Sequence, residues 1–194
     1  MNLDSNPITL FDQWFKEAEN SKIKEFNAMN LATADSKGAP SNRTVLLKGY
    51  DEKGFVFYTN LESRKGGELK SNPLAALCFY WKELDRQVRI EGKVQKVSDE
   101  EADEYFNSRP LQSRIGTHLS KQSQIITGDF DLAKAVAQKT LELVGKKVER
   151  PESWSGFCVI PEKIEFWQKG DFRIHKRRLY CLCDGKWEMK FLYP

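Results

Sequence analysis

Residues 87–97 place the tightest limit on how this chain can fold. Polar Gln87, Arg89, Glu91 and Lys93 alternate with apolar or small Val88, Ile90, Gly92 and Val94. A period of two marks a strand with one face in a core and the other against water or a ligand. Such half-wet strands belong to antiparallel sheets, because strands covered on both faces read as continuous apolar runs. The segment just before it, Leu74–Trp81, is apolar enough to predict burial on both faces.

Further strands are predicted at Ala28–Ala34, Asn42–Tyr50 and Phe55–Asn60, separated by turns at Asp35–Gly38 and Asp51–Gly54. Four more are predicted at Gly156–Ile160, Lys163–Gln168, Arg173–Cys183 and Trp187–Tyr193, the last pair joined by an Asp184-Gly185 hairpin turn. Helical spacing of Leu10, Phe11, Trp14, Phe15 and Ala18 predicts a first helix over Pro7–Asn20. Others are expected at Ser63–Lys70, stopped by Asn72-Pro73, and from a Ser98/Glu101 capping box to Asn107. A short helix opens at Pro110, and Asp129 caps one over Phe130–Val144 that Gly145 ends. Strands at both ends with helices between predict a mainly β protein, a closed antiparallel sheet decorated by helices. With no linker in its 194 residues, the chain reads as one domain over 1–194.

The bulk properties exclude several classes. No apolar run approaches the ~18 residues of a membrane span, and polar Met1–Pro7 leads straight into a helix pattern, so a cytoplasmic protein with no membrane partner is expected. A net charge of +3 is too small to act as a footprint for nucleic acid. Cys78, Cys158, Cys181 and Cys183 form no C-x-x-C, and only His118 and His175 supply imidazole, so no metal site is expected.

Anion-binding groups are more prominent. On the predicted strand 173–183, Arg173, His175 and Arg177 would share one face, where like charges persist only if well solvated or set against something anionic. Arg64 and Lys65 fall in a first helical turn, where cations oppose the helix dipole; a phosphate there would reverse the sign, with Thr59 and Ser63 adding donors. Tyr105, Arg109 and Ser113 are spaced by four and suit a phosphate monoester, although Pro110 between them favours a capping role by spacing alone. Arg43 and Lys48 have opposite parity, so a regular strand sends them to different faces. Ser120-Lys121-Gln122-Ser123 is by itself a polar loop. Dinucleotide, P-loop and Ser-His-Asp patterns are missing, which fits an enzyme whose cofactor carries the reaction.

Taken in order, the motifs Arg43-Thr44-Val45-Leu46-Leu47-Lys48, Phe57-Tyr58-Thr59-Asn60, Ser63-Arg64-Lys65, Arg86-Gln87-Val88, Tyr105-Phe106-Asn107-Ser108-Arg109-Pro110, Ser120-Lys121-Gln122-Ser123 and Ile164-Glu165-Phe166-Trp167-Gln168 through Arg173-Ile174-His175 resemble the pyridoxamine 5'-phosphate oxidase (pyridoxine 5'-phosphate oxidase) family. The resemblance runs from about Pro7 to Pro194. It implies an FMN-binding split β-barrel that works as a homodimer, with the C-terminal strands from about 154 contributing to the dimer and substrate site. It implies that Arg43, Thr44, Val45, Leu46, Leu47, Lys48, Tyr58, Thr59, Arg64, Lys65, Gln87, Gln122, Ser123, Trp167 and Arg177 hold FMN. It further implies that Lys48, Tyr105, Arg109 and Ser113 bind the substrate phosphate, while Arg173 and His175 lie over the pyridine ring as the catalytic pair. The implied reaction oxidises pyridoxamine or pyridoxine 5'-phosphate to pyridoxal 5'-phosphate, with hydride passing to FMN and O2 returning hydrogen peroxide.

Another split-barrel flavin reductase would not need Tyr105, Arg109, Ser113, Arg173 and His175 together. A non-catalytic flavin or pyridoxal phosphate binding protein is a further alternative. Three departures from the family pattern stand out: Lys176 between His175 and Arg177, the ending Phe191-Leu192-Tyr193-Pro194, and only six residues before Pro7. Lys176 has the parity to face away from the site, and an N-terminal lid over the substrate is expected to be absent.

Overall fold

The computed structural model describes residues 6–126, 131–143 and 145–194. Among the described residues, nine strands form one antiparallel sheet. They are β1 (Ala28–Ala34), β2 (Pro40–Leu46), β3 (Gly49–Asp51), β4 (Gly54–Asn60), β5 (Leu74–Trp81), β6 (Arg86–Lys96), β7 (Trp154–Gln168), β8 (Lys176–Cys183) and β9 (Lys186–Leu192). The helices are α1 (Pro7–Asn20), α2 (Arg64–Ser71), α3 (Asp99–Ser108), α4 (Leu111–Leu119) and α5 (Leu132–Leu143). The expected cap at Asp129 and the ends Phe130 and Val144 lie outside the described residues. No helix among the described residues is long and apolar enough to cross a membrane.

Strand order is β2-β1-β5-β6-β7-β4-β3, with β8 on β7 and β9 on β8. The predicted strand Asn42–Tyr50 is in fact two strands. After Leu46 the chain kinks: Leu47 turns into the core and its N–H donates to Asn27 O at 2.9 Å, whereas the N–H of Lys48 donates to Val56 O at 2.8 Å. The segment thereby leaves β1 and joins β4. Since β2 and β3 close the two ends of the strand order, this kink ties the edges together and curls the sheet into a split barrel.

Inside the curl, Phe11 of α1 is fully buried with ring centroids of Tyr50 and Phe55 at 4.9 Å and of Phe79 at 5.2 Å. Asn6 starts that helix by accepting the Ile8 N–H at 2.8 Å, with Pro7 in its first turn. One aromatic side chain thus joins strands from distant places in the order. Burying a phenylalanine in this way contributes about 1.5–3 kcal/mol.

Three other expectations are corrected. Segments 156–160 and 163–168 belong to one strand, β7, with an irregularity opposite Gly92, where Pro161 sits and the register with β6 shifts. A Cβ on Gly92 would lie 1.9 Å from Ile160 O, so only glycine permits this close approach. Strand β5 is buried on one face only: Leu77 and Phe79 point inward, while Leu74 and Tyr80 are 50% and 58% exposed. Small Ala76 and Cys78 on its outer face made the sequence read as uniformly apolar. Finally, strand β8 begins at Lys176, not Arg173. Asp171–Arg173 is a short 3-10 turn, with Phe172 and Arg173 at φ 54° and 65°.

Candidate active site

Between β2, β4, α2, α3 and α4 lies a cavity of about 1050 Å³. Strand β2 and its kink bring Arg43, Thr44, Val45, Leu46 and Lys48 to its wall. From β4 come Tyr58 and Thr59, and from the start of α2 come Arg64 and Lys65. Tyr105, Arg109 and Ser113 face it from α3 and α4, and Gln122 and Ser123 from the segment after α4. Arg43 and Lys48 share this cavity despite their opposite parity, because the kink at Leu47 reverses the alternation between them.

The start of α2 gathers cations and hydroxyls at the cavity wall. Ser63 caps the helix by accepting the Gly66 N–H at 3.3 Å. Lys65 is only 7% exposed, and its Nζ donates to Thr59 Oγ1 at 3.1 Å, Ser63 Oγ at 3.4 Å and Gln122 Oε1 at 2.9 Å. All three acceptors are neutral. Burial, and then the Arg43 charge, push the Lys65 ammonium pKa down against the opposite pull of the Glu68 carboxylate. Ser123 also accepts the backbone N–H of Arg64 at 3.3 Å, so the polar loop closes over the helix start.

Behind this wall sits Glu68, which the sequence reading missed although its spacing of four from Arg64 on α2 is a usable signal. Its carboxylate accepts from Arg64 Nε at 2.8 Å, Ser41 Oγ at 2.6 Å, Thr33 Oγ1 at 2.5 Å and Arg43 at 3.3 Å. Burial alone would raise its pKa; the hydrogen bonds from Ser41, Thr33, Arg64 and Arg43 outweigh that and hold it at about 2.

The second set of donors meets an aromatic wall. Tyr105 stacks on Tyr58 at 4.0 Å between centroids, and Tyr58 stacks on Trp154 at 5.2 Å. The Arg109 guanidinium lies 4.9 Å from the centroid of the Trp154 ring and donates to Thr117 Oγ1 at 2.9 Å and to Ser113 O at 3.2 Å. The helix does break at Arg109-Pro110, yet α4 turns back so that Arg109 reaches Ser113. Trp154 had no signal in the sequence: it is brought to the cavity wall by the pairing of β7 with β4, where it faces Asn60.

Other predicted residues lie elsewhere. Leu47 is in the core. Gln87, Trp167 and Arg177 form a row across β6, β7 and β8, as register partners Gln87 with Trp167 and Trp167 with Arg177. His175 leans on Trp167 with ring centroids 4.7 Å apart, and its Nδ1 accepts the Gly170 N–H at 3.3 Å. Arg177 is held by Glu165 Oε1 at 2.7 Å and Tyr193 O at 3.0 Å. Arg173 is exposed on its turn. The expected single face of three cations is therefore not formed: Arg173 is off the strand, and Arg177 is paired with a carboxylate.

The family described as "Pyridoxamine 5'-phosphate oxidase" matches residues 15–144, and "Pyridoxine 5'-phosphate oxidase C-terminal dimerisation region" matches 154–194. The "Pyridoxine/pyridoxamine 5'-phosphate oxidase" of Paraburkholderia phytofirmans is 50% identical over 100% of this chain and 91% of its own length. That of Rhizobium meliloti is 51% identical over 98% of this chain and 93% of its own. Among solved structures, PhzG from Burkholderia lata in complex with tetrahydrophenazine-1-carboxylic acid aligns with a TM-score of 0.93 at 30% identity, covering 100% of this chain and 95% of that one. An FMN-binding protein from Nostoc punctiforme shares the fold at a TM-score of 0.75 and 18% identity, with 100% of both chains covered. With matches along both segments and relatives at half identity over its whole length, this chain belongs to the pyridoxamine 5'-phosphate oxidase family.

Proposed function

We propose that the chain is an FMN-dependent oxidase of pyridoxamine 5'-phosphate or pyridoxine 5'-phosphate, producing pyridoxal 5'-phosphate as a homodimer. The observation that carries this is the buried Lys65 ammonium, whose partners are neutral oxygens at the wall of a large cavity. A buried cation with no carboxylate in hydrogen-bond contact fits a phosphoryl group, and Arg64 and Arg43 beside it fit the same group. When bound, the flavin supplies the acceptor for a hydride and is reoxidised by O2 with release of hydrogen peroxide.

The chain's own residues do the positioning. Arg43, Arg64 and Lys65 hold the cofactor phosphate, and Gln122 and Ser123 close over it. Tyr105, Arg109 and Ser113, with Lys48, take the substrate phosphate; Arg109 is held over the Trp154 ring by its bonds to Thr117 and Ser113, so its position is set before the substrate arrives. Arg173 orients the substrate ring and stabilises charge developing at the reacting carbon, and His175 anchors the ring's polar substituents. Since Gln87, Trp167, Arg173, His175 and Arg177 stand apart from the cavity of their own chain, the homodimer supplies them across the subunit interface. The match of 154–194 to a dimerisation region supports that arrangement.

The phosphate-suited trio on the aromatic wall favours a phosphorylated substrate over a carboxylic acid of the kind bound to the PhzG relative. Purified protein should be yellow, release FMN on denaturation, and convert pyridoxine 5'-phosphate to the aldehyde under air. Flavin-loaded protein that turned over neither phosphorylated vitamer would favour a binding protein instead.

A further inference from the structure

A carboxylate directly behind an anion site weakens the attraction for the anion unless it does something else. Glu68 is in that position: its side chain is 6% exposed and lies outside the cavity lining, while three of its partners, Ser41, Arg43 and Arg64, are part of that lining. Its oxygens join three elements, taking Thr33 from β1, Ser41 and Arg43 from β2, and Arg64 from α2. Arg64 is bonded to the carboxylate through Nε, so the outer edge of its guanidinium, between the two terminal nitrogens, is not used in that bond. Three cations against one carboxylate also leave a double positive charge, the complement of a phosphate monoester dianion.

We propose that Glu68 is a positioning residue for phosphate recognition, fixing Arg43 and Arg64 in the orientation that grips the phosphoryl group of the cofactor. The inference rests on the reading of this cavity as the FMN site. Charge counting and positioning make opposite predictions for Glu68→Gln. Removing a negative charge near the anion should tighten phosphate binding, whereas releasing the two guanidinium groups should loosen it.

The test compares FMN with riboflavin, which shares the ring system and lacks the phosphate, by quenching of flavin fluorescence on the full chain freed of flavin. Glu68→Gln should raise the Kd for FMN at least about tenfold and change that for riboflavin less than about twofold. An unchanged or tighter FMN Kd overturns the proposal, and so does an equal loss for both ligands, which would make Glu68 merely structural. Thr33→Val removes, from outside the cavity, both a donor to Glu68 and an acceptor of Arg43, and tests the Thr33–Glu68–Arg43 unit as a whole if Glu68→Gln does not fold. It should weaken FMN about threefold and leave riboflavin alone, and no change in the ratio of the two affinities overturns the inference. Wild-type protein that bound FMN no more tightly than riboflavin would instead overturn the phosphate reading itself, before either variant is considered.

Discussion

The start of α2 and the turn at Asp171–His175 both carry cations of the expected site, yet they are built in opposite ways. Around Lys65, Arg64 and Arg43 every cation is bonded to the protein: hydroxyls, a glutamine and the Glu68 carboxylate set their positions. On the turn, Arg173 is exposed on backbone with positive φ, a conformation costing about 1 kcal/mol or more outside glycine, and Phe172 beside it is 94% exposed. The first region is preorganised by its own chain. The second has the character of a surface completed by another molecule, as a subunit interface and a bound substrate would do. Retention of a cofactor requires a site that is always formed, whereas a group acting on a substrate that comes and goes need be ordered only when both are present.

The sharpest way to break this contrast is Arg173→Ala. Loss of one group that stabilises developing charge costs about 100–1000-fold in turnover. Retention of FMN should change by less than about threefold, and equal losses in stopped-flow reduction and flavin affinity would show that the two regions are not functionally separate.

Lys65→Met tests the opposite side. A charge-assisted hydrogen bond is worth about 1.5–3 kcal/mol, so FMN affinity should fall about 10- to 100-fold. Unfolding of the flavin-free variant should occur at the same or higher denaturant concentration, because a desolvated charge has been removed. If the flavin-free protein is clearly destabilised, Lys65 serves the fold and not a ligand.

Smallest is the effect of Trp154→Leu. The guanidinium of Arg109 over its ring is worth about 0.5–2 kcal/mol. The KM for a phosphorylated substrate should therefore rise about 2- to 30-fold with kcat little changed. A fall in kcat at constant KM would mean that the aromatic wall orients the reacting ring and not the phosphate.

Much of the fold could be read locally. Alternation along 87–97 marks β6, the Ser98 cap appears as the hydrogen bond from Glu101 N–H at 3.1 Å, and Asp184-Gly185 forms its turn with φ of 49° and 75°. These features depend on neighbours a few residues away, so their signals survive without the rest of the molecule. The break at Leu46 is different. It follows from two successive hairpins, β1–β2 and β3–β4, competing for the same backbone, and no single-residue preference records that competition.

The sequence by itself determined which groups were available: cations in a first helical turn, a tyrosine, arginine and serine spaced by four, and family motifs in a fixed order. Tertiary structure alone decided that Gln122 lies on Lys65, that Trp154 supports Arg109, that Glu68 is wedged between two arginines, and that Arg173 stands off its strand. The physical reason is that side-chain identity is a local property, while burial and charge balance are set by what the curled sheet brings together from distant parts of the chain.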